Sequence, residues 1–154
     1  MASPEEIAVV AALLGRPPQG AFEVVVRHPD GRPIVIRNHP LLEDGTPMPT
    51  RHWLVDPQVR SAVGTLEADG GVDRAETEVG DEAIAAAHLR AAAERDAAMP
   101  ADWTGPRPSG GVAGTRRGVK CLHAHLADHL AGMDDPVGRW VLARLMGEAR
   151  EPAS

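Results

Sequence analysis

Cysteine is nearly absent from this chain: Cys121 is the only one among 154 residues, so no internal disulfide can form. Tyrosine is missing altogether, Phe22 is the single phenylalanine, and aromatic residues make up only 3% of the sequence. The core must therefore be built from Leu, Val, Ile and abundant Ala, which makes it thin. Long apolar runs are lacking too. The longest, 7–14, has eight residues, against the roughly 20 that span a bilayer, which argues against a membrane anchor. Lysine is almost missing as well, since Lys120 is the only one among 16 basic residues, and the formal net charge is −6. A balance of that sign argues against wrapping extended nucleic acid or an acidic membrane, while leaving room for a local basic patch that holds one small anion. The N-terminal stretch MASPEE is acidic where a secretory leader would be basic, and with one cysteine this predicts a cytoplasmic protein.

What is present reads as one α+β domain over 1–150 with a frayed tail at 151–154. Ser3, Pro4 and Glu6 form a helix start of the capping-box kind, and Gly15 with Pro17 and Pro18 ends that helix. The β-branched runs 22–27 and 33–37 flank Asp30-Gly31, a hairpin signal, and 52–55 supplies a third strand. Asp56-Pro57 opens a helix over 56–69 that Gly70 and Gly71 end; an alanine-rich helix follows over about 81–98. Residues 99–117, rich in proline and glycine, exclude regular structure; helices at 118–131 and after Asp135-Pro136 close the chain. The expected architecture is a small antiparallel sheet, hairpin plus one strand, with about five helices packed on one of its faces.

The chemistry concentrates in the stretch 110–125, GGVAGTRRGVKCLHAH. Glycines such as Gly111 and Gly114 can turn backbone amides toward an anion, and Arg116, Arg117 and Lys120 can reach it beside a helix N-terminus. No Gly-Lys-Ser/Thr spacing follows, so a nucleoside triphosphate loop is not indicated. The plainer alternative is a flexible connection whose arginines sit in water. Taken as helical, Cys121, His125 and Asp128 share one face with His129 beside them, spacings by which one helix offers ligands to zinc. On the same wheel His123 falls on the other flank of the apolar stripe, away from that cluster. The competing reading has these histidines buried at a packing seam, with Cys121 as a small hydrophobe. A third makes Cys121 a nucleophile with His125 as its base.

The loop 39–53 is rich in turn residues and long enough to fold over the Cys/His helix; Asp44, Thr50, Arg51 and His52 are its chemical residues, Asp44 being the candidate acid or base, while the plainer alternative is that Asp44-Gly45 and the prolines fix a rigid turn and Trp53 anchors the sheet. The words DGTPMPTRHWL at 44–54, LEA at 66–68 and GGVAGTRRGVKCLHAH at 110–125 resemble a bacterial family of proteins of unknown function, DUF501, over most of the chain. The resemblance implies kinship and no particular chemistry. It also implies a Cys-Pro-Cys-Gly hairpin and a Thr-Cys-Pro in many members, where this chain has His28, Pro29, Asp30 and Gly31, and then Val55, Asp56 and Pro57. Only Cys121 of such a thiol set remains.

Two functions follow as expectations. One is an accessory or regulatory module binding a small anion or a protein partner through loop 109–118 and helix 118–131. The other is a metal-dependent or thiol enzyme acting on a phosphorylated small molecule, with Cys121, His125 and His129 as ligands, Asp44 or Asp128 as acid/base, and Arg116 and Arg117 holding the substrate.

Overall fold

The computed structural model describes residues 1–150, so the frayed tail expected at 151–154 lies outside the described residues. Helix α1 (Pro4–Leu14) starts on the predicted capping box, the Ser3 hydroxyl accepting from the Glu6 amide and the Glu6 carboxylate from the Ser3 amide. Strands β1 (Phe22–Arg27), β2 (Pro33–Asn38) and β3 (His52–Leu54) form one antiparallel sheet in that order. The turn joining β1 to β2 depends on Gly31, which sits at φ 94°, a conformation that a side chain would strain.

Alternation along the strands gives the sheet two apolar faces, and both are covered. Val35 and Leu54, paired across β2 and β3, join the main core with Val63 and Leu66 from α2 (Pro57–Ala68), Ala75 from α3 (Gly71–Val79) and Ile84 from α4 (Asp81–Ala97). The same core takes in Leu122 and Leu126 from α5 (Leu122–Leu130) and Val137 and Val141 from α6 (Pro136–Arg150). The next residue of β2, Ile36, turns the other way and packs with Phe22, Val55 and Val10 of α1. The class is the expected α+β, with six helices among the described residues; the expectation that all helices share one face is corrected by α1, which covers the reverse side.

Two further boundaries differ from the sequence reading. Gly70 and Gly71 do end the helix expected over 56–69, α2 stopping at Ala68, but a helix not expected, α3, begins at Gly71, where a Cβ would lie 2.5 Å from the Leu66 carbonyl oxygen and only glycine lets the chain restart so close to α2. Helix α5 begins at Leu122 and not at 118; Gly118 is left-handed at φ 69°, and Cys121 is extended at φ −150°, ψ 151°. The amides that follow Gly118 are held by carboxylates from distant helices, Val119 by Glu76 at 3.0 Å and Leu122 by Glu67 at 2.7 Å.

Candidate functional site

The glycine-rich loop is a packed object. A Cβ on Gly111 would lie 2.3 Å from His88 Cβ, and one on Gly114 would lie 3.1 Å from Pro49. Its amides are engaged internally: Gly111 donates to the Thr115 carbonyl, Val112 to His88 Nδ1, Gly114 to the Gly111 carbonyl and Thr115 to the Val112 carbonyl. The Arg95 guanidinium, buried at 2% exposure, binds the carbonyls of Pro49, Gly110 and Gly111 and ties the loop to the segment before β3. Between them a single 3₁₀ turn, Val112–Gly114, holds Ala113 in the left-handed region at φ 52°. The amides expected to cradle an anion therefore serve the loop itself.

The candidate residues of this segment fall into three places. Arg116 and Arg117 line an open groove with Asp81, Glu82 and His88, where carboxylates share the space with the arginines. His125 and His129 face α6: Nδ1–H of His125 donates to Asp135 at 2.8 Å in a fully buried pair, and His129 Cβ stands against Gly138. Cys121, Lys120 and His123 turn the other way, into a separate cleft. The extended conformation of Cys121 takes it off the helical wheel, so the set Cys121, His125 and His129 does not come within mutual ligand distance, whereas Glu67, Cys121 and His123 do, all within 4.8 Å. Asp44 is exposed, and the Thr46 side chain, together with the Thr46 amide that donates to its carboxylate at 3.0 Å, holds its acid below the usual range.

The cleft has a volume of about 370 Å³ and opens where α1, β3, α2 and the start of α5 meet. Its cations are Arg16 just beyond α1, Arg60 of α2 and Lys120; its apolar wall includes Leu14, Trp53 and Leu54; Thr50, His52, Cys121 and His123 complete the polar lining. None of the lining residues is acidic, and among the described residues no carboxylate lies within 4.0 Å of the three cationic groups. His52 is buried and its Nδ1–H donates to Asp128 at 2.8 Å, which fixes the tautomer and leaves Nε2 as the acceptor nitrogen. Burial pushes the Asp128 acid above its ordinary range, with the His52 hydrogen bond opposing.

At the Cys121 end, His123 Nε2–H donates to the Arg60 carbonyl at 3.1 Å, leaving Nδ1 to face Glu67 at 3.2 Å and the sulfur. Burial disfavours the Cys121 thiolate, but the His123 ring and the Ala124 amide outweigh it and bring the thiol below its ordinary value. The contact with Cys121 raises His123 correspondingly, against its burial and with help from Glu67. In chelator-treated protein, the alkylation rate of Cys121 plotted against pH is expected to have its midpoint below that of the same cysteine in the unfolded chain. His123→Asn should move that midpoint up, and Glu67→Gln, which removes a negative neighbour, should move it down. A midpoint that neither variant shifts would contradict this account of the thiol.

Sequence reasoning had named Cys121, Lys120 and His52, but missed Arg16, Arg60 and Glu67, whose spacing along the chain carries no local signal. Of the three positions where the resemblance implies cysteines, two meet: His28 Nε2 lies 2.9 Å from Asp56 Oδ1, while Asp56 Oδ2 caps α2 through the Val59 amide. Asp30 is exposed and paired with Arg32, the turn role expected of it.

The fold and cleft together define an α+β protein with a cation-lined pocket bearing one thiol. The family model described as protein of unknown function (DUF501) matches residues 24–143, and the chain belongs to that family. The matched stretch includes every lining residue of the cleft except Leu14 and Arg16. Comparison with curated proteins and with solved structures gives no match.

Proposed function

We propose that this protein binds a small anionic molecule, one carrying a phosphate or carboxylate group on an apolar body, in the cleft lined by Arg16, Arg60 and Lys120. The observation that carries the reading is the convergence of three cations without a carboxylate in the lining, in a chain whose formal charge is −6. Arg27, Arg51 and Arg144 are paired with Glu side chains elsewhere in the fold, whereas these three cations share one lining that holds no carboxylate. The volume falls in the range of small-molecule sites, and Leu14, Trp53 and Leu54 supply the apolar contact that such sites use. His52 and Thr50 add hydrogen-bonding groups that orient the ligand. The role of the segment 109–124 is then to shape the cleft and contribute Lys120.

A thiol enzyme acting on a phosphorylated small molecule is the second reading, favoured by the presence of Cys121 and His123 in the same lining.

Calorimetric titration with inorganic pyrophosphate tests the proposal. Each lost charge-assisted contact is worth about 1.5–3 kcal/mol, so Arg60→Ala and Lys120→Ala are each expected to weaken binding about tenfold or more. The double variant Arg116→Ala/Arg117→Ala should stay within about twofold of wild type, and added salt should weaken binding throughout. Binding that survives in the Arg60 and Lys120 variants but fails in the Arg116/Arg117 variant would overturn the assignment.

A further inference from the structure

We propose that Glu67, Cys121 and His123 form a site for one divalent transition metal of the zinc class at the edge of the cleft. One atom from each, a carboxylate oxygen of Glu67, Cys121 Sγ and a ring nitrogen of His123, can meet a common ion, these ligand atoms lying within 4.8 Å of one another. Carboxylate, thiolate and imidazole together form a donor set that zinc accepts and that magnesium and calcium do not favour.

The surrounding contacts are those a metal site requires. His123 donates Nε2–H to the Arg60 carbonyl, which leaves Nδ1 as the donor nitrogen and holds the ring plane. Glu67 Oε2 accepts from the Leu122 amide at 2.7 Å, which orients the carboxylate and leaves Oε1 on the His123 side at 3.2 Å. The extended backbone of Cys121 brings its sulfur to the same side as His123, two residues on. Binding the ion displaces the thiol proton, and any proton on His123 Nδ1, to solvent.

Three protein ligands leave a fourth position. Cys121 and His123 both line the cleft while Glu67 does not, so that position opens on the side of Lys120 and Arg60. An ion there would meet the anionic group of a molecule held by those cations. The metal site does not depend on that molecule: the three ligands and their supporting contacts are complete without one.

Cobalt(II) titration followed by absorbance is the test, because a cobalt–thiolate bond gives a charge-transfer band that oxygen and nitrogen ligands do not. Wild-type protein is expected to take one equivalent with that band, and zinc should abolish it by displacement. Cys121→Ser should lose the band, and Glu67→Gln and His123→Gln should weaken binding about tenfold or more. A control independent of the variants' folding uses the wild type alone: Cys121 is the only cysteine, so mass spectrometry reads its alkylation without ambiguity. One equivalent of zinc should slow that alkylation at least about tenfold, and magnesium should leave it unchanged. Stoichiometric zinc that gives no protection, or cobalt bound without the thiolate band, overturns the site. Pyrophosphate titration of the metal-free protein is read separately, so loss of the metal proposal leaves the anion reading standing, and the reverse.

Discussion

Replacing Arg95 with alanine is expected to destabilise the protein by about 3–5 kcal/mol, from the cavity and the stranded carbonyls together. The guanidinium is buried, and its two terminal nitrogens satisfy the carbonyls of Pro49, Gly110 and Gly111 at 2.7–3.1 Å. Alanine would leave those acceptors facing a void the length of the arginine side chain, with the cavity and the lost hydrogen bonds acting together. Burial also opposes the charge, pulling the Arg95 pKa down, so an apolar residue of similar length escapes part of that cost. Arg95→Met should accordingly lose less than Arg95→Ala in urea denaturation. Because the three carbonyls belong to the segments carrying Thr50 and Ala113, both variants should also weaken ligand binding in the cleft. An alanine variant within about 1 kcal/mol of wild type would show that the loop holds its shape without this anchor.

Asp135→Ala is the second large effect, expected at about 2–4 kcal/mol. One carboxylate oxygen accepts from the Gly138 amide at 3.0 Å, capping α6, and the other accepts from His125 at 2.8 Å, both contacts being buried. Alanine removes the cap and strands the His125 N–H between α5 and α6. The helices are close enough there that a Cβ on Gly138 would lie 2.3 Å from the His125 carbonyl oxygen, so no side chain can shift in to compensate. Asp135→Asn keeps an oxygen for the Gly138 amide but offers His125 an amide group, so it should lose less than alanine. Equal losses in thermal unfolding would mean that the cap contributes nothing.

Local sequence chemistry reached most of the fold. Ser3 with Glu6, Asp30 with Gly31 and Asp56 with Pro57 act through contacts within a few residues, and the elements they announce are present. The misread places depend on distant partners. The start of α5 is set by Glu67 and Glu76, 55 and 43 residues away from the amides they hold. With Cys121 extended just ahead of that start, a helical wheel drawn through it pointed to His125 when the true neighbour is His123. The loop glycines, read as turning amides toward an anion, instead make room for His88 and Pro49 of the same chain. Arg16, Arg60 and Glu67 look like ordinary solvated charges in the sequence, and only the packing of α1 and α2 around β3 makes them neighbours of Lys120 and Cys121.

The most direct measurement is a crystal structure with inorganic pyrophosphate bound. The account places the anion in the cleft, in contact with Arg60 and Lys120 and on the same side as His52. Pyrophosphate found instead in the groove of Arg116 and Arg117, with the cleft unchanged, would contradict it.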